Sequence, residues 1–422
     1  MTYRYLPGLL SLVFLLTQSF CLGQDRASNG KSLVKEYLKS NNEAEREVIL
    51  KSLEELKVDF NTMKEWVKLS SEYIPQKPGL RREFAPVGEK KGEYFIYIPS
   101  SYTPEKEWPM ILSLHGVGGN GHEQVITWLK SMAHNDEFIF AAPTYGSGLW
   151  WKEEPEKLVL SVLDKVKQGY RIDTNRIYLT GFSSGGHGVW YMGIRYPWLF
   201  AAINPIAGEC PLPSLLINLK NVPVFIIHGA KDTVIPVEAG RDADSRLEKL
   251  HYNVIYKELP ELKHRFPAEE AGKVIDWFRV NKRIPYPKEI KFSTESPGYS
   301  IAYWIEITEF SELVGQTPGV YKDISGKLIR TEGSAEMATV EANAQVGDNE
   351  IYLITHGIKA LRLYLEDGYS DAGRPLRVNI NGKLMYFEKM EMSVRGILDA
   401  VRKMNDREAL YSAYLDIRIP SE

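Results

Sequence analysis

Between about Glu93 and Ile284, short apolar runs alternate with amphipathic stretches. The runs are Tyr94–Ile98, Met110–Leu114, Phe138–Ala142, Ile177–Leu179, Ala201–Pro205, Val222–Ile227 and Val254–Leu259. Their shortness and continuous apolarity predict strands buried on both faces. Leu158–Tyr170, Gly185–Tyr196, Val237–His251 and Ala268–Val280 instead place apolar residues at helical spacing. Alternation of this kind predicts an α/β domain, a mostly parallel sheet covered by helices on both faces. Ligands of such sheets bind beyond the carboxyl ends of the strands.

The flanks read differently. From Lys31 to Leu69 the period is helical: Leu33, Val34, Tyr37 and Leu38 share one face, and Val48, Ile49, Leu53 and Leu56 another. Asn41-Asn42 separates the two, and Met63, Trp66 and Val67 suggest a third short helix capped near Asn61. Pro75 to Pro86, with Gly79 between, reads as a linker. After Pro285-Tyr286-Pro287, short alternating or apolar runs dominate, among them Ile301–Ile307, Glu350–Thr355, Leu376–Ile380 and Lys383–Phe387. Asn381-Gly382 is a hairpin signal, because both residues tolerate the positive φ of a type I′ turn. Ser393–Met404 reads as one helix. The expected organisation is a leader over 1–23, an N-terminal helical segment over 24–80, the α/β domain over 81–284 and a β-rich domain over 285–422.

The leader expectation rests on Arg4, the apolar run Leu9–Leu16 and the small, weakly polar stretch Thr17–Gly23. That order is the pattern of a secretory signal peptide, and the run falls short of the ~20 residues of a spanning helix. Cleavage after Gly23 would leave a secreted or periplasmic chain starting at Gln24, with no membrane span. Phe20 before Cys21 argues against lipidation, which wants a small residue there. Removing the leader removes Cys21, so Cys210 has no partner for an internal disulfide and is expected to be a packed thiol.

Composition narrows the function classes. With 422 residues, 44% hydrophobic and 25% charged, the chain can bury its own core and is neither disordered nor a disulfide scaffold. A formal net charge of −3 supplies no global attraction to nucleic acid or to anionic membranes. The oligomeric state is not written in the sequence.

The chemistry concentrates in four places. Gly181-Phe182-Ser183-Ser184-Gly185 is G-x-S-x-G between an apolar run and a helix, the context that presents Ser183 Oγ at a sheet edge. A serine nucleophile needs a base, and the base an orienting carboxylate, in the chain order Ser, acid, His. Asp232 follows the run ending Ile227-His228-Gly229, and His264 lies in a loop after Val254–Leu259, so these two complete a triad. His251, at a helix end, and His356, in the β-rich part, are worse placed, as are Asp242 and Asp244 inside a helix. His115-Gly116-Val117-Gly118-Gly119 follows Met110–Leu114 and suits an oxyanion hole, with the N–H groups of Val117 and Ser184 as donors. His115, together with Trp150 and Trp151 behind Gly146 and Gly148, is expected to line the substrate pocket. His187, one turn into the nucleophile helix, is expected to be structural. Gly116-x-Gly118-x-x-Gly121 also matches a dinucleotide fingerprint, but the next strand ends Ala141-Ala142-Pro143-Thr144 without the acid that a ribose needs. His228 and Asp232 lack further ligands for a metal. Neither metal nor cofactor is expected.

These three segments, including His228-Gly229-Ala230-Lys231-Asp232-Thr233-Val234-Ile235-Pro236, resemble the α/β-hydrolase superfamily. The nearest branch is that of secreted esterases similar to polyhydroxybutyrate depolymerases, feruloyl and acetylxylan esterases and the phospholipase/carboxylesterase group. The resemblance covers roughly residues 85–284. It implies an eight-stranded type of sheet with the nucleophile after the fifth strand, and ester hydrolysis through an acyl-enzyme. One departure is Lys263, where the family often has glycine before its histidine; with Arg265 it makes that loop more polar. The short stretch between Pro205 and Val222, stiffened by Pro211 and Pro213, leaves little room for a lid and suits a small or polymer-linked ester. Two other readings remain at this point. One is a peptidase similar to the prolyl oligopeptidases, although the segment before the α/β region is too short for their propeller. The other is a catalytically silent binding protein on the same fold.

Overall fold

A computed structural model of the chain describes residues 28–132, 136–312, 314, 337–345, 348–366 and 373–420. The expected leader lies outside them. The chain forms two compact units: Met1–Glu72 with Glu391–Ala413, and Tyr73–Met390 with Tyr414–Glu422.

The first unit is helical. Its elements are α1 (28–39), α2 (Glu43–Glu55), α3 (Phe60–Leu69) and a late helix, Val394–Met404. Asn42 caps α2 by accepting from the N–H groups of Ala44 and Glu45. Asp59, not Asn61, caps α3, because its carboxylate reaches the Thr62 N–H. Val34, Tyr37, Leu50, Leu53, Met63 and Trp66 form one core with Ile397, Leu398 and Val401. Tyr37 Oη donates to Asp399 at 2.6 Å, and Arg395 grips Glu47 with two bonds of 2.6 and 2.7 Å. The apolar faces of the early helices therefore find a partner more than 300 residues later. The structure groups the 393–404 helix with them rather than with the strands beside it in sequence.

The second unit is built on an eight-stranded sheet. Its strands are β1 (Gly79–Val87), β2 (Lys90–Ile98), β3 (Trp108–Leu114), β4 (Ile139–Pro143), β5 (Ile172–Phe182), β6 (Ala202–Ile206), β7 (Val224–Gly229) and β8 (Val254–Leu259). They lie in the order β1-β2-β4-β3-β5-β6-β7-β8. β1 and β2 run antiparallel to their neighbours, and β3 to β8 are parallel. β3, β4, β6 and β7 are buried along their whole length, which is why they read as unbroken apolar runs. Helices α4 (Gly121–Ser131), α5 (Glu153–Gly169), α6 (Ser184–Arg195), α7 (Glu238–Lys249) and α8 (Ala271–Val280) cover the sheet. α5, α6 and α7 pack into one core and α4 and α8 into another. This is the α/β-hydrolase fold, with Ser183 directly after the fifth strand.

One expectation fails here. The stretch from Pro75 to Pro86 is not simply a linker, because β1 occupies its second half and pairs with β2 from Gly79↔Ile98 to Val87↔Lys90. Three prolines and a glycine hid it. Pro86 is tolerated because β1 is an edge strand and owes no N–H to an outer neighbour.

Beyond the sheet the same unit continues as β9 (Glu289–Thr294), β10 (Ile301–Ala302), β11 (Ile305–Phe310), β12 (Ala338–Gln345), β13 (Glu350–His356), β14 (Ile358–Leu365), β15 (Leu376–Ile380), β16 (Lys383–Glu388) and β17 (Ala413–Arg418). They form a five-stranded sheet, β16-β15-β13-β12-β9, and a four-stranded one, β10-β11-β14-β17. Asn381 and Gly382 have φ of 50° and 76° and turn β15 into β16. The strands are tied to the hydrolase domain by buried polar bonds. The side chain of Asn218 bonds both the N–H and the carbonyl of Ser293. Arg195 pairs with Glu295, and Glu156 accepts from the hydroxyls of Tyr191, Tyr196 and Tyr299. Cys210 is a buried free thiol whose pKa is pushed up to about 12 by burial. Among the described residues no helix is long and apolar enough to cross a membrane.

Candidate active site

Ser183 sits on the sharp turn between β5 and α6. Its φ of 59° and ψ of −122° lie in a region that non-glycine residues rarely adopt. The turn is held by Ser183 N–H donating to the Ile206 carbonyl at 2.9 Å. It is possible only because α6 comes very close to β3. A Cβ on Gly185 would lie 2.1 Å from the Leu114 carbonyl oxygen. The result places Ser183 Oγ at the carboxyl end of the sheet and at the N-terminus of a helix.

The structure brings Ser183, His264 and Asp232 together. His264 Nε2 is 2.9 Å from Ser183 Oγ, and His264 Nδ1 is 2.7 Å from Asp232 Oδ2. A carboxylate can only accept, so Nδ1 carries the proton and Nε2 offers its lone pair to the serine hydroxyl. Asp232 is buried, and its other oxygen accepts from the N–H groups of Val234 and Ile235 at 2.8 and 2.9 Å. The turn Asp232–Ile235 thus fixes the carboxylate before the imidazole meets it. The Phe182 ring lies 5.0 Å from that of His264 and completes its setting. Arg265 is paired with Glu269, while Lys263 is exposed beside the histidine.

His228 is the buried neighbour of this turn. Its Nε2–H donates to the Ile235 carbonyl at 3.0 Å, and it lies 3.7 Å from Asp232. Burial pulls its pKa down, against a smaller opposing pull from the Ile235 carbonyl. The imidazole therefore stays neutral and supports the carbonyl that shapes the turn. Among the described residues no group of three His, Cys, Asp or Glu side chains could hold a metal.

The loop after β3 lies against Ser183: a Cβ on Gly116 would stand 3.4 Å from that of Ser183. Gly119 N–H donates to the Gly116 carbonyl at 3.1 Å, and the Val117 side chain is 61% exposed above this turn. Ser184 opens α6, so its N–H belongs to the unpaired first turn of that helix. A Cβ on Gly148 would stand 2.9 Å from Ser184 Oγ and 3.1 Å from Val117 Cα, so both residues border that glycine.

His115 and Trp150 require a correction. Both are buried and wholly engaged in the fold, so neither lines a pocket. His115 Nε2 accepts from the Tyr145 N–H at 3.0 Å, and Nδ1–H donates to the Gly116 carbonyl at 2.7 Å. Burial depresses its pKa, which matches this neutral tautomer. Trp150 Nε1–H donates to the His115 carbonyl at 2.8 Å, and its ring meets the imidazole edge to face at 4.9 Å. Together they clamp the loop that carries Val117 N–H. The motif locates these residues at the site without telling which face they turn to it. Trp151 is half-buried and lies 5.5 Å from the His187 ring. His187 Nδ1–H donates to the Ser183 carbonyl at 3.0 Å, tying Ser183 to the first turn of α6. Tyr145 was not legible as part of this setting, because its bond to His115 joins residues 30 apart in sequence.

Residues 153–282 match the family described as Phospholipase/Carboxylesterase. A bifunctional acetylxylan esterase/xylanase of Neocallimastix patriciarum is 31% identical over 145 residues, covering 33% of this chain and 21% of the relative. A probable feruloyl esterase C of Aspergillus terreus is 28% identical over 159 residues, covering 35% of this chain and 57% of its own. A solved thermostable esterase is 25% identical with a TM-score of 0.43, over 48% of this chain and 63% of the other. The chain thus spans between about a fifth and three fifths of the length of these proteins.

Proposed function

We propose that this chain is an exported serine esterase that releases acyl groups from esters carried on polysaccharide. The observation that carries the reading is the hydrogen-bonded line from Ser183 through His264 to Asp232 at the carboxyl end of the sheet. Ser183 Oγ attacks the acyl carbon while its proton passes to His264 Nε2. Asp232 keeps the imidazole in the required tautomer and stabilises the imidazolium. The oxygen that gains charge is held by the N–H groups of Val117 and Ser184, with the positive end of α6 behind it. The imidazolium then protonates the departing alkoxide, and the alcohol leaves. Water enters, gives a proton to His264 and attacks the acyl-enzyme, and the carboxylic acid departs as Ser183 recovers its hydrogen. The cycle balances with no added redox or metal chemistry.

Polymer-linked esters are favoured by two things. Relatives named for acetylxylan and feruloyl esters match about a third of this chain. Between β6 and β7 the chain forms only the short helix Pro213–Asn221, which ties to Ser293 and leaves little to close over a site. Export rests on the pattern of residues 1–23.

The test is a release assay over short and long p-nitrophenyl esters, acetylated and feruloylated xylan, and peptide amides, with Ser183→Ala in parallel. Short or xylan-linked esters are expected to be hydrolysed. Ser183→Ala should lose more than about 10⁴-fold in rate while melting within roughly a few degrees of the parent. Turnover confined to amides would replace the esterase reading by a peptidase, and an active Ser183→Ala would remove the site.

A further inference from the structure

The hydroxyl of Ser184 has no part in the cycle above, which uses only that residue's N–H. Ser184 is 5% exposed, yet its Oγ has no hydrogen-bond partner among the described residues. A buried, unmade hydroxyl bond costs stability, and native interiors seldom keep one without a use. The atom is also specifically placed. It faces Gly148, where a Cβ would fall 2.9 Å from Ser184 Oγ, 3.1 Å from the Gly116 carbonyl oxygen and 3.1 Å from Val117 Cα. Gly148 has a φ of +63°, and with these neighbours only glycine fits there without strain. The unpaired hydroxyl and the residue bearing the other oxyanion donor therefore border one small volume.

We propose that the Ser184 hydroxyl is a third oxyanion donor, acting with the N–H groups of Val117 and Ser184. The inference rests on Ser183 being the nucleophile. As the Ser183 Oγ–carbon bond forms, the carbonyl π pair moves onto oxygen, and Ser184 Oγ–H turns to donate to it. The hydroxyl keeps its proton throughout. When the carbonyl re-forms and the alkoxide leaves, that hydrogen bond is released. The bond exists only while charge is on the oxygen, so it lowers the barrier without tightening ground-state binding. Its lack of a partner in the free enzyme is the counterpart of that selectivity.

The experiment is steady-state kinetics on p-nitrophenyl acetate, with thermal melting, for Ser184→Ala and Ser184→Cys. Ser184→Ala should lose roughly 10- to 100-fold in kcat with KM within about 2-fold, since two donors remain. Its melting temperature should be unchanged or higher, because the hydroxyl it removes was unpaired. Ser184→Cys keeps the shape with a weak donor, and should fall with the alanine variant. A boronic acid that mimics the tetrahedral state should bind Ser184→Ala weaker by about the same factor as the loss in kcat. Parental kcat in Ser184→Ala, recovery in Ser184→Cys, or a kcat loss matched by a melting temperature several degrees lower would each overturn the proposal. Ser183→Ala in the same series separates the two failures. If it is inactive and Ser184→Ala is not impaired, only the third donor is lost; if it stays active, the nucleophile reading itself falls.

Discussion

At the scale of single residues, His115 has the sharpest consequence. Its Nε2 must be bare to accept from Tyr145, and its Nδ1 must carry hydrogen to reach the Gly116 carbonyl. A second proton would set an N–H against an N–H. Burial is the main cause of its depressed pKa, as it is for His228. Unfolded imidazoles titrate near about 6.5, so on acidification the unfolded chain takes up these protons first. The stability these histidines allow is intact above about pH 6.5 and declines as the pH falls from there toward their folded values. His115→Phe keeps a ring but leaves the Tyr145 N–H and the Gly116 carbonyl without this partner, and should cost roughly 1–3 kcal/mol. It should also show a smaller loss of stability between pH 7.5 and 5 than the parent. Urea midpoints at the two pH values check this, and equal losses would refute it. Residue order alone was enough to select Asp232 and His264, since each follows a strand whose position the pattern reveals. His115 and Trp150 were misread as pocket walls because a motif locates a residue along the chain but not the side from which it is buried.

At the scale of elements, the join between β5 and α6 depends on close contact with β3. The Gly185 position leaves no room for a methyl group, since the obstacle is the Leu114 backbone rather than a movable side chain. Gly185→Ala should therefore cost about 3 kcal/mol or more, read as a lowered urea midpoint. A loss below about 1 kcal/mol would show that the helix can shift aside. Strands buried on both faces were legible because nothing polar interrupts them. β1 was not, because an edge strand with one wet face carries proline, arginine and glutamate among its apolar positions. The cap of α3 was misplaced by two residues because Asp59 and Asn61 are both good capping types, and only the turn geometry selects between them.

At the scale of the molecule, the strands beyond Pro285 are part of the hydrolase body. Arg195 closes α6 with its side chain 1% exposed, and its carboxylate partner Glu295 comes from just after β9. Glu295→Ala would leave a buried guanidinium without that partner, and should cost about 3–5 kcal/mol. Equilibrium unfolding decides it; a change under 1 kcal/mol, within the range of an exposed pair, would mean that the pair is dispensable. Sequence reading separated this region because its alternation differs from that of the hydrolase strands. The ties that join them, from Arg195, Asn218 and Glu156, are single residues in unremarked positions. The late helix was likewise found but not assigned, since nothing local says that its apolar face belongs with helices at the far end of the chain. Edge strand β1 has a consequence for how copies of the chain meet. Pro86 offers no N–H, and its carbonyl is already taken by the Ser161 hydroxyl at 2.6 Å. Arg81 and Arg82 add positive charge along the same strand. An incoming strand from another molecule would find a broken ladder and a charged rim, so this margin resists the edge-to-edge stacking by which open sheets aggregate.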